Sequence, residues 1–344
     1  MNDPVTRRSF VASLGLAVAA AASGGAEPEK RGKREALLSL REGSPGPGYV
    51  PAAFFMHFGE RSRFGPAAVE KHLEYFRSTG MDFLKVQYEQ AFPPRPEIRT
   101  PADWKAMPRY GLDFYRPQLE VVDGLVKAAG REALVLVTLY SPFMCAGHTV
   151  GRAELSRHIA ENGEAVRMGM DTITESLLGF VRECRNLGAD GFYASTQGGE
   201  RDTFRDAGLF GKYVTPYDLA LMREIDRTSA FNILHICDFE APYADLTPFL
   251  PYPGHVVSCN PRLTTGVVSL RELGRRFGRP IMGGMDRKGA IGAGSDEEIR
   301  RAAEDVLRAA PDRFILGAEC TVPGTARWDG IHTAIATAHA FRRG

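Results

Sequence analysis

Eight repeats of a short apolar run followed by a segment of helical pattern constrain the fold of this chain most strongly. The runs contain few polar residues and do not alternate, which is typical of strands covered on both faces. Strand followed by helix, eight times, predicts an α/β fold: a single-domain (β/α)8 TIM barrel. The predicted strands are 53–58, 83–88, 133–140, 191–196, 232–237, 256–260, 280–285 and 314–319.

An open, doubly wound sheet is the alternative for such an alternation. It would be expected to carry Gly-x-Gly-x-x-Gly after an early strand, to bind a dinucleotide phosphate. No such pattern follows the early runs, and the glycine-rich stretch 289–294 comes late in the chain. We therefore interpret 289–294 as a loop between a strand and a helix.

The N-terminus resembles a twin-arginine export signal. Arg7 and Arg8 precede an apolar stretch, 11–22, and small residues that end near Ala26. The prediction is a signal peptide at 1–26, a leader or linker at 27–50, the barrel at 51–344, and a periplasmic or other extracytoplasmic location. A chance Arg-Arg pair before an alanine-rich helix is the alternative.

Charge and hydropathy exclude two classes of partner. The net charge of +1 argues against nucleic acid, which attracts strongly basic surfaces. The apolar stretch 11–22 is too short to cross a bilayer, so we expect no membrane span in the mature chain.

Polar residues stand at the ends of nearly all the predicted strands. In a barrel of this type the carboxyl ends of the strands meet on one face, where the active site lies. We therefore expect a site on that face. The residues concerned are His57, Glu60, Tyr88, Glu89, Tyr140, Ser195, Gln197, His235, Cys237, Cys259, Asn260, Asp286 and Cys320.

Three of these residues form a candidate metal site. His235 and Cys237 are two apart on one predicted strand, so their side chains point the same way. Cys320 ends another strand. One imidazole and two thiolates suit zinc and leave a coordination position open for water or substrate. The alternative is that the cysteines are small core residues and His235 is a hydrogen-bonded core histidine.

Residues 50–344 resemble the uroporphyrinogen decarboxylase superfamily, most strongly in the last third of the chain. The similar segments include Leu234-His-Ile-Cys237, Pro280-Ile-Met-Gly-Gly-Met-Asp286 and Phe314-Ile-Leu-Gly-Ala-Glu-Cys320. The superfamily fold is a (β/α)8 barrel. Its methyltransferase branch, which acts on corrinoids and thiols, binds zinc through a His-x-Cys pair and a later Cys. The resemblance implies that His235, Cys237 and Cys320 are those ligands, with any acidic fourth ligand falling near Asn260.

The decarboxylase branch of the superfamily uses no metal and grips substrate carboxylates with an arginine-rich N-terminal segment. In this chain the corresponding stretch, 55–61, retains only Arg61, with Arg63 nearby. The resemblance therefore favours a zinc-dependent methyl or alkyl transferase acting through a metal-bound thiolate. Two alternatives remain: a non-metal decarboxylase of a carboxylated tetrapyrrole such as uroporphyrinogen III, and an exported ligand-binding barrel without catalysis.

Roles for the other strand-end residues follow from their chemistry. Glu89, Gln197 and Asp286 are expected to act catalytically, by orienting a substrate or moving a proton. The alternatives are that the carboxylates cap loops or pair with arginines, and that Gln197 bonds to loop backbone. The residues expected to bind substrate are His57, Arg61, Tyr88 and Tyr140. The expected partners are a small thiol or methyl donor, and a corrinoid protein, corrinoid or tetrapyrrole.

Overall fold

The computed structural model describes residues 32–43 and 48–342. The expected signal peptide, 1–26, lies outside this range, as do residues 27–31 and 44–47 of the expected leader. Residues 31–344 belong to one compact unit. Within the described part of the chain, no helix combines the length and apolar character that a bilayer crossing requires.

Seven parallel strands form the central sheet, in the order β1-β2-β3-β4-β5-β8-β9. The strands begin and end close to the predicted limits, and nearly all their residues are buried on both faces, as their apolar sequences require. A two-stranded hairpin, β6–β7, was not predicted. The strands are β1 (Phe83–Val86), β2 (Leu134–Tyr140), β3 (Gly191–Thr196), β4 (Ile233–Ile236), β5 (Val256–Cys259), β6 (Arg262–Leu263), β7 (Gly266–Val267), β8 (Ile281–Met285) and β9 (Phe314–Ala318).

The first predicted strand, 53–58, is not a regular strand, which corrects the sequence-based assignment. Ala52 makes an isolated parallel bridge to Leu316 of β9. On its other side, the Ala52 carbonyl accepts from the Asp82 backbone N–H, just before β1. The Asp82 carboxylate accepts from the Ala52 N–H at 2.7 Å, so a side chain takes the place of a ladder partner. The segment thus lies between the last and first strands of a curled sheet of seven.

Helices follow the strands and cover the outer face of the sheet. Ser295 and Glu298 form a capping box at the start of α10. Helix α5 is kinked at Asn162, where the backbone angles are not helical. The helices are α1 (Lys33–Glu42), α2 (Gly65–Thr79), α3 (Leu112–Ala129), α4 (Pro142–Val150), α5 (Arg152–Asn186), α6 (Gly208–Tyr213), α7 (Thr215–Thr228), α8 (Leu270–Phe277), α9 (Ala290–Ala293), α10 (Asp296–Ala309) and α11 (Trp328–Ala340), with 3-10 turns at Glu60–Ser62, Pro101–Ala106 and Thr247–Phe249.

Helix α1 lies within the stretch expected to be a leader, and it packs against the amino ends of the strands. Arg34 donates to both carboxylate oxygens of Asp190, at 2.8 and 2.7 Å, immediately before β3. The same guanidinium donates to the carbonyls of Gly130 and Ala133, before β2. Leu37 and Leu40 are buried. The described part of the expected leader is therefore an integral element of the folded unit.

Candidate active site

The curl of the sheet brings three distant residues together. His235 lies on β4, Cys237 directly after it, and Cys320 two residues after β9. Two strands, β5 and β8, separate β4 from β9. At about 4.8 Å per strand, a flat sheet would hold them about 14 Å apart. The Cys237 and Cys320 sulfur atoms are nevertheless 3.9 Å apart, so the sheet turns back on itself at this face.

The donor atoms of this cluster fit a metal ion. One ligand atom from each of His235, Cys237 and Cys320 lies within 4.8 Å of the others, and all three residues are buried. Two thiolates on one tetrahedral zinc ion would stand about 3.8 Å apart, given zinc–sulfur bonds of about 2.3 Å. The sulfur separation of 3.9 Å is close to that value. This cluster could therefore hold a zinc ion through one nitrogen and two sulfur atoms.

A chain of hydroxyl groups orients the imidazole of His235. Its Nδ1 lies 3.2 Å from Ser258 Oγ, which in turn lies 3.1 Å from the Tyr193 hydroxyl. The Tyr193 ring also packs against the imidazole, with centroids 4.9 Å apart. Occupying Nδ1 in this way leaves Nε2 as the free donor atom, the arrangement common among metal-binding histidines. Ser258 had not been identified from the sequence.

The pKa values of the two cysteine thiols are shifted in opposite directions. Hydrogen bonds from the Cys237 thiol, and then from His235, lower the pKa of Cys320 to about 3 despite its burial. The same contact with Cys320, together with burial, raises the pKa of Cys237 well above its ordinary value. The opposite shifts favour the thiolate at Cys320 over that at Cys237, and thiolate is the form that binds metal.

Gln197 contacts the metal cluster directly, and Arg152 fixes the orientation of its side-chain amide. Its Nε2 donates to Cys237 Sγ at 3.4 Å, while its Oε1 accepts from Arg152 at 3.2 Å. Arg152 is held in turn by an ion pair of 2.5 Å with Glu200, whose side chain is fully buried. The sequence predicted Gln197 as a site residue, but Arg152 and Glu200 were not foreseen.

The cluster lies at the wall of a cavity of about 230 Å³. One lining residue, Lys85 on β1, was not identified from the sequence; it is buried, with 6 % of its surface exposed. Burial lowers the pKa of Lys85 to about 8, against the opposing influence of Cys320, Cys237 and Glu89. Alternation of Lys85, Gln87 and Glu89 could have revealed an inward-facing polar row. The lining also includes His57, Thr138, Tyr140, His148, Gln197 and Phe239.

Some predicted residues lie at or beside the cavity. His57 and Tyr140 line it, as expected for substrate-binding residues. Glu89 bonds to His57, with its Oε1 2.8 Å from Nδ1, and Arg63 lies 3.8 Å from its other oxygen. Glu89 is therefore placed to fix the His57 ring beside the cavity, a contact that the sequence did not predict.

Other predicted residues are not among those that line the cavity. Asp286 lies 3.3 Å from Arg262 and accepts from the Lys288 backbone N–H, so it pairs with an arginine and caps a turn. Arg61 is exposed. Tyr88 packs against Tyr140 and Phe180, and its hydroxyl has no partner in the described part of the chain.

Asn260 stands where the resemblance placed any acidic fourth ligand, and its side chain bonds to other residues. Asn260 donates to Asp238 at 2.6 Å, and its own Oδ1 accepts from the Arg262 backbone N–H. Both ends of this amide are occupied. Burial raises the pKa of Asp238, which directly follows Cys237, while the Asn260 hydrogen bond opposes the shift.

Comparison with known proteins places this arrangement in a wider context. No curated protein sequence matches the chain. A methyltransferase from Methanosarcina mazei is structurally similar with a TM-score of 0.73 and 14 % identity, over 89 % of this chain and 98 % of that one. A B12-independent methionine synthase from Shewanella sp. W3-18-1 matches more weakly, with a TM-score of 0.48 and 13 % identity over 85 % and 95 % of the two chains. The first similarity shows a shared fold.

The sequence also matches a family model. The model for uroporphyrinogen decarboxylase (URO-D) covers residues 77–341, from α2 through α11. This range includes seven of the strands of the central sheet and all three residues of the metal cluster. Because the match extends over well more than half of the sequence, the chain belongs to the uroporphyrinogen decarboxylase family.

Proposed function

We propose that this protein is a zinc-dependent methyl or alkyl transferase. The observation that carries the proposal is the convergence of His235, Cys237 and Cys320 on the wall of an enclosed cavity. Three protein ligands facing a cavity are typical of catalytic zinc, since a fourth position stays open to substrate. The fold shared with a methyltransferase supports the same activity.

Each residue of the site has a definable task in such a reaction. His235, Cys237 and Cys320 would hold the ion, which when bound keeps a thiol substrate ionised at neutral pH. Ser258 fixes the imidazole, and Gln197 donates a hydrogen bond to the Cys237 sulfur. The buried side chains around the cluster lower the local dielectric constant, which strengthens electrostatic contacts with a bound thiol. His57, held by Glu89, would border the entering substrate.

Decarboxylation of a tetrapyrrole is the second candidate. It would need several cations facing the substrate carboxylates. Lys85 is the one observation in its favour, since it is a cation that lines the cavity. None of the described arginines lines that cavity, and neither Arg61 nor Arg63 points into it. A volume of about 230 Å³ is also below the usual range for drug-sized ligands, about 300–1,000 Å³, and a tetrapyrrole is larger still.

Three further parts of the proposal concern the closure of the barrel, the two substrates and the location of the protein. We propose that segment 51–55 takes the place of an eighth strand and closes the sheet into a barrel, supported by its bonds to Leu316 and Asp82. A thiol is proposed as one substrate, and a methyl donor, free or carried by a corrinoid protein, as the other. Arg7 and Arg8 support export by the twin-arginine route to an extracytoplasmic compartment.

Metal analysis combined with X-ray absorption tests the proposed function. Protein purified without chelators should contain about one zinc ion per chain, and an added thiol should bring a further sulfur into its coordination shell. Turnover should then follow with a panel of thiols and methyl donors. Metal-free protein that releases carbon dioxide from a tetrapyrrole acid would establish the second candidate. Ligand binding without any turnover would instead indicate a binding protein.

A further inference from the structure

Two buried residues that line the cavity, Lys85 and Thr138, are not part of the metal cluster. Lys85 carries an ammonium group, and the Thr138 hydroxyl has no hydrogen-bond partner among the described residues. We propose that Lys85 and Thr138 form a subsite for an oxyanion, so that the substrate bound at the metal carries a carboxylate or a similar acidic group. This inference rests on the proposed function for its choice of substrate, a small thiol acid. The subsite itself is argued from the two side chains and their surroundings.

Lys85 is held in the cavity wall by neutral groups. Its ammonium lies 4.7 Å from the centroid of the Phe55 ring and 4.9 Å from that of Tyr193. It donates to Gln87 Oε1 at 3.0 Å. The Gln87 amide is itself fixed, because its Nε2 donates to the Met56 carbonyl at 2.6 Å. These contacts position the ammonium and leave further N–H donors available, since an ammonium has three.

No carboxylate forms an ion pair with Lys85 in the described part of the chain. The nearest acidic influences are the two cysteines of the metal cluster and Glu89, and Glu89 bonds to His57. A buried charge without a partner is costly, so such groups are normally paired. When the cluster holds a divalent ion, the thiolates of Cys237 and Cys320 balance its charge. The Lys85 ammonium then still has no ion-pair partner among the described residues, and Glu240, the carboxylate among the lining residues, is exposed.

Thr138 supplies an independent observation. It lines the same cavity, is 3 % exposed, and its Oγ1 has no hydrogen-bond partner among the described residues. The strand register pairs Lys85 of β1 with Leu136 of β2, two residues before Thr138 and on the same face of the sheet. The hydroxyl and the ammonium thus belong to one inner surface. Buried polar groups are nearly always bonded, which indicates that a ligand atom completes this one.

The chemistry of the two groups defines the ligand. Lys85 contributes a charged donor, and a hydroxyl can donate to the same acceptor. A carboxylate offers two oxygen atoms, one for each donor, whereas a neutral alcohol cannot balance the charge. A cavity of about 230 Å³ limits the ligand to a few carbon atoms between its sulfur and its acidic group.

A matched pair of thiols tests the subsite. In cobalt-substituted protein, 3-mercaptopropionate and 3-mercapto-1-propanol are titrated and the sulfur-to-cobalt absorption is recorded. The acid should bind about ten- to hundredfold more tightly than the alcohol, as expected for a hydrogen bond to a charged group. Lys85→Met should abolish the preference, and Thr138→Val should reduce it. Lys105→Met, which changes an exposed lysine, should leave it intact.

Each possible result separates this inference from the proposed function. Equal binding of both thiols by the unmodified protein would overturn the oxyanion subsite while leaving thiol binding at the metal intact. That result would mark Lys85 as a purely structural cation. If neither thiol reached the metal, but propionate bound to the unmodified protein and not to Lys85→Met, the subsite would stand and alkyl transfer would fail. The ligand series needs no variant, so a Lys85→Met protein that does not fold leaves the test valid.

Discussion

The cavity is lined by a metal wall (His235, Cys237 and Cys320) and a lysine wall (Lys85 and Thr138). The two walls differ in how many of their polar atoms have hydrogen-bond partners. On the metal wall, His235 bonds to Ser258 and Cys237 accepts from Gln197, whose other end is held by Arg152. On the lysine wall, the Thr138 hydroxyl has no partner among the described residues. A fully bonded wall is preorganised to keep one resident group. A wall with an unbonded hydroxyl is suited to a ligand that binds and dissociates. We therefore expect the metal wall to retain its ion and the lysine wall to exchange its ligand.

The largest expected effect comes from removing a ligand on the metal wall. Cys320→Ser should lose nearly all bound metal and all transferase activity, because two protein ligands rarely retain zinc. Far-UV circular dichroism should remain native, since the cluster does not support the core. Metal content by mass spectrometry is the measurement, and Cys184→Ala, a buried cysteine on α5, is the control. Full metal occupancy in Cys320→Ser would remove Cys320 from the site.

The support behind His235 should matter less than a ligand but still substantially. Ser258→Ala removes the group bonded to Nδ1, and loss of such a contact typically lowers metal affinity by about 10- to 100-fold. Competition with a chromophoric chelator measures this change. Ser195→Ala alters the neighbouring position in the strand register and should have little effect. Equal affinities for both variants would mean that Ser258 does not orient the imidazole.

Binding of an acid at Lys85 should depend on pH, because the ammonium titrates. The pKa of Lys85 is lowered to about 8, so the ammonium carries its charge below that value and loses it above. Propionate has no group that titrates near pH 8. Its affinity should therefore fall about tenfold between pH 7 and 9, as the cationic fraction declines. Isothermal calorimetry across this range measures the effect. An affinity independent of pH would contradict a charged Lys85 in the subsite.

The smallest effect is expected at the hydrogen bond from Gln197 to the Cys237 sulfur. Gln197→Leu removes the bond of 3.4 Å to the sulfur and the bond of 3.2 Å from Arg152, while Arg152 keeps its ion pair with Glu200. One hydrogen bond corresponds to about a 2- to 10-fold change in rate or affinity. The sulfur-to-cobalt absorption band should also shift in energy. Gln90→Leu provides the control, and an unshifted band would show that Gln197 does not reach the bound sulfur.

The strands were predictable because burial on both faces leaves a strong mark in sequence. The apolar run 191–196 coincides with β3, and 256–260 exceeds β5 by one residue. The run at 53–58 carries the same composition but does not form a strand. There the Asp82 carboxylate captures the Ala52 N–H, a contact between elements that no local pattern encodes.

The site was predictable where residue type alone indicates chemistry. Two cysteines and a histidine at strand ends point to a metal, whatever the precise curvature of the sheet. Lys85 is different, because a single lysine inside an apolar run becomes a cavity residue only after the sheet curls. Asp286 is likewise not among the residues that line the cavity, and it contacts Arg262 instead. Shortly before it, Gly283 and Gly284 have φ values of 134° and 95°, a conformation that favours glycine.

Helix α1 has a consequence for the order in which this chain can mature. It is synthesised early, yet its bidentate contact joins Arg34 to Asp190, 156 residues later in the sequence. Its docking therefore has to wait until β2 and β3 have been made. Arg41 extends the same dependence to the Ala230 carbonyl, before β4. A helix that follows the expected export signal so closely thus becomes ordered only after half of the sheet exists. Its protection from proteolysis would report that this half of the sheet has formed.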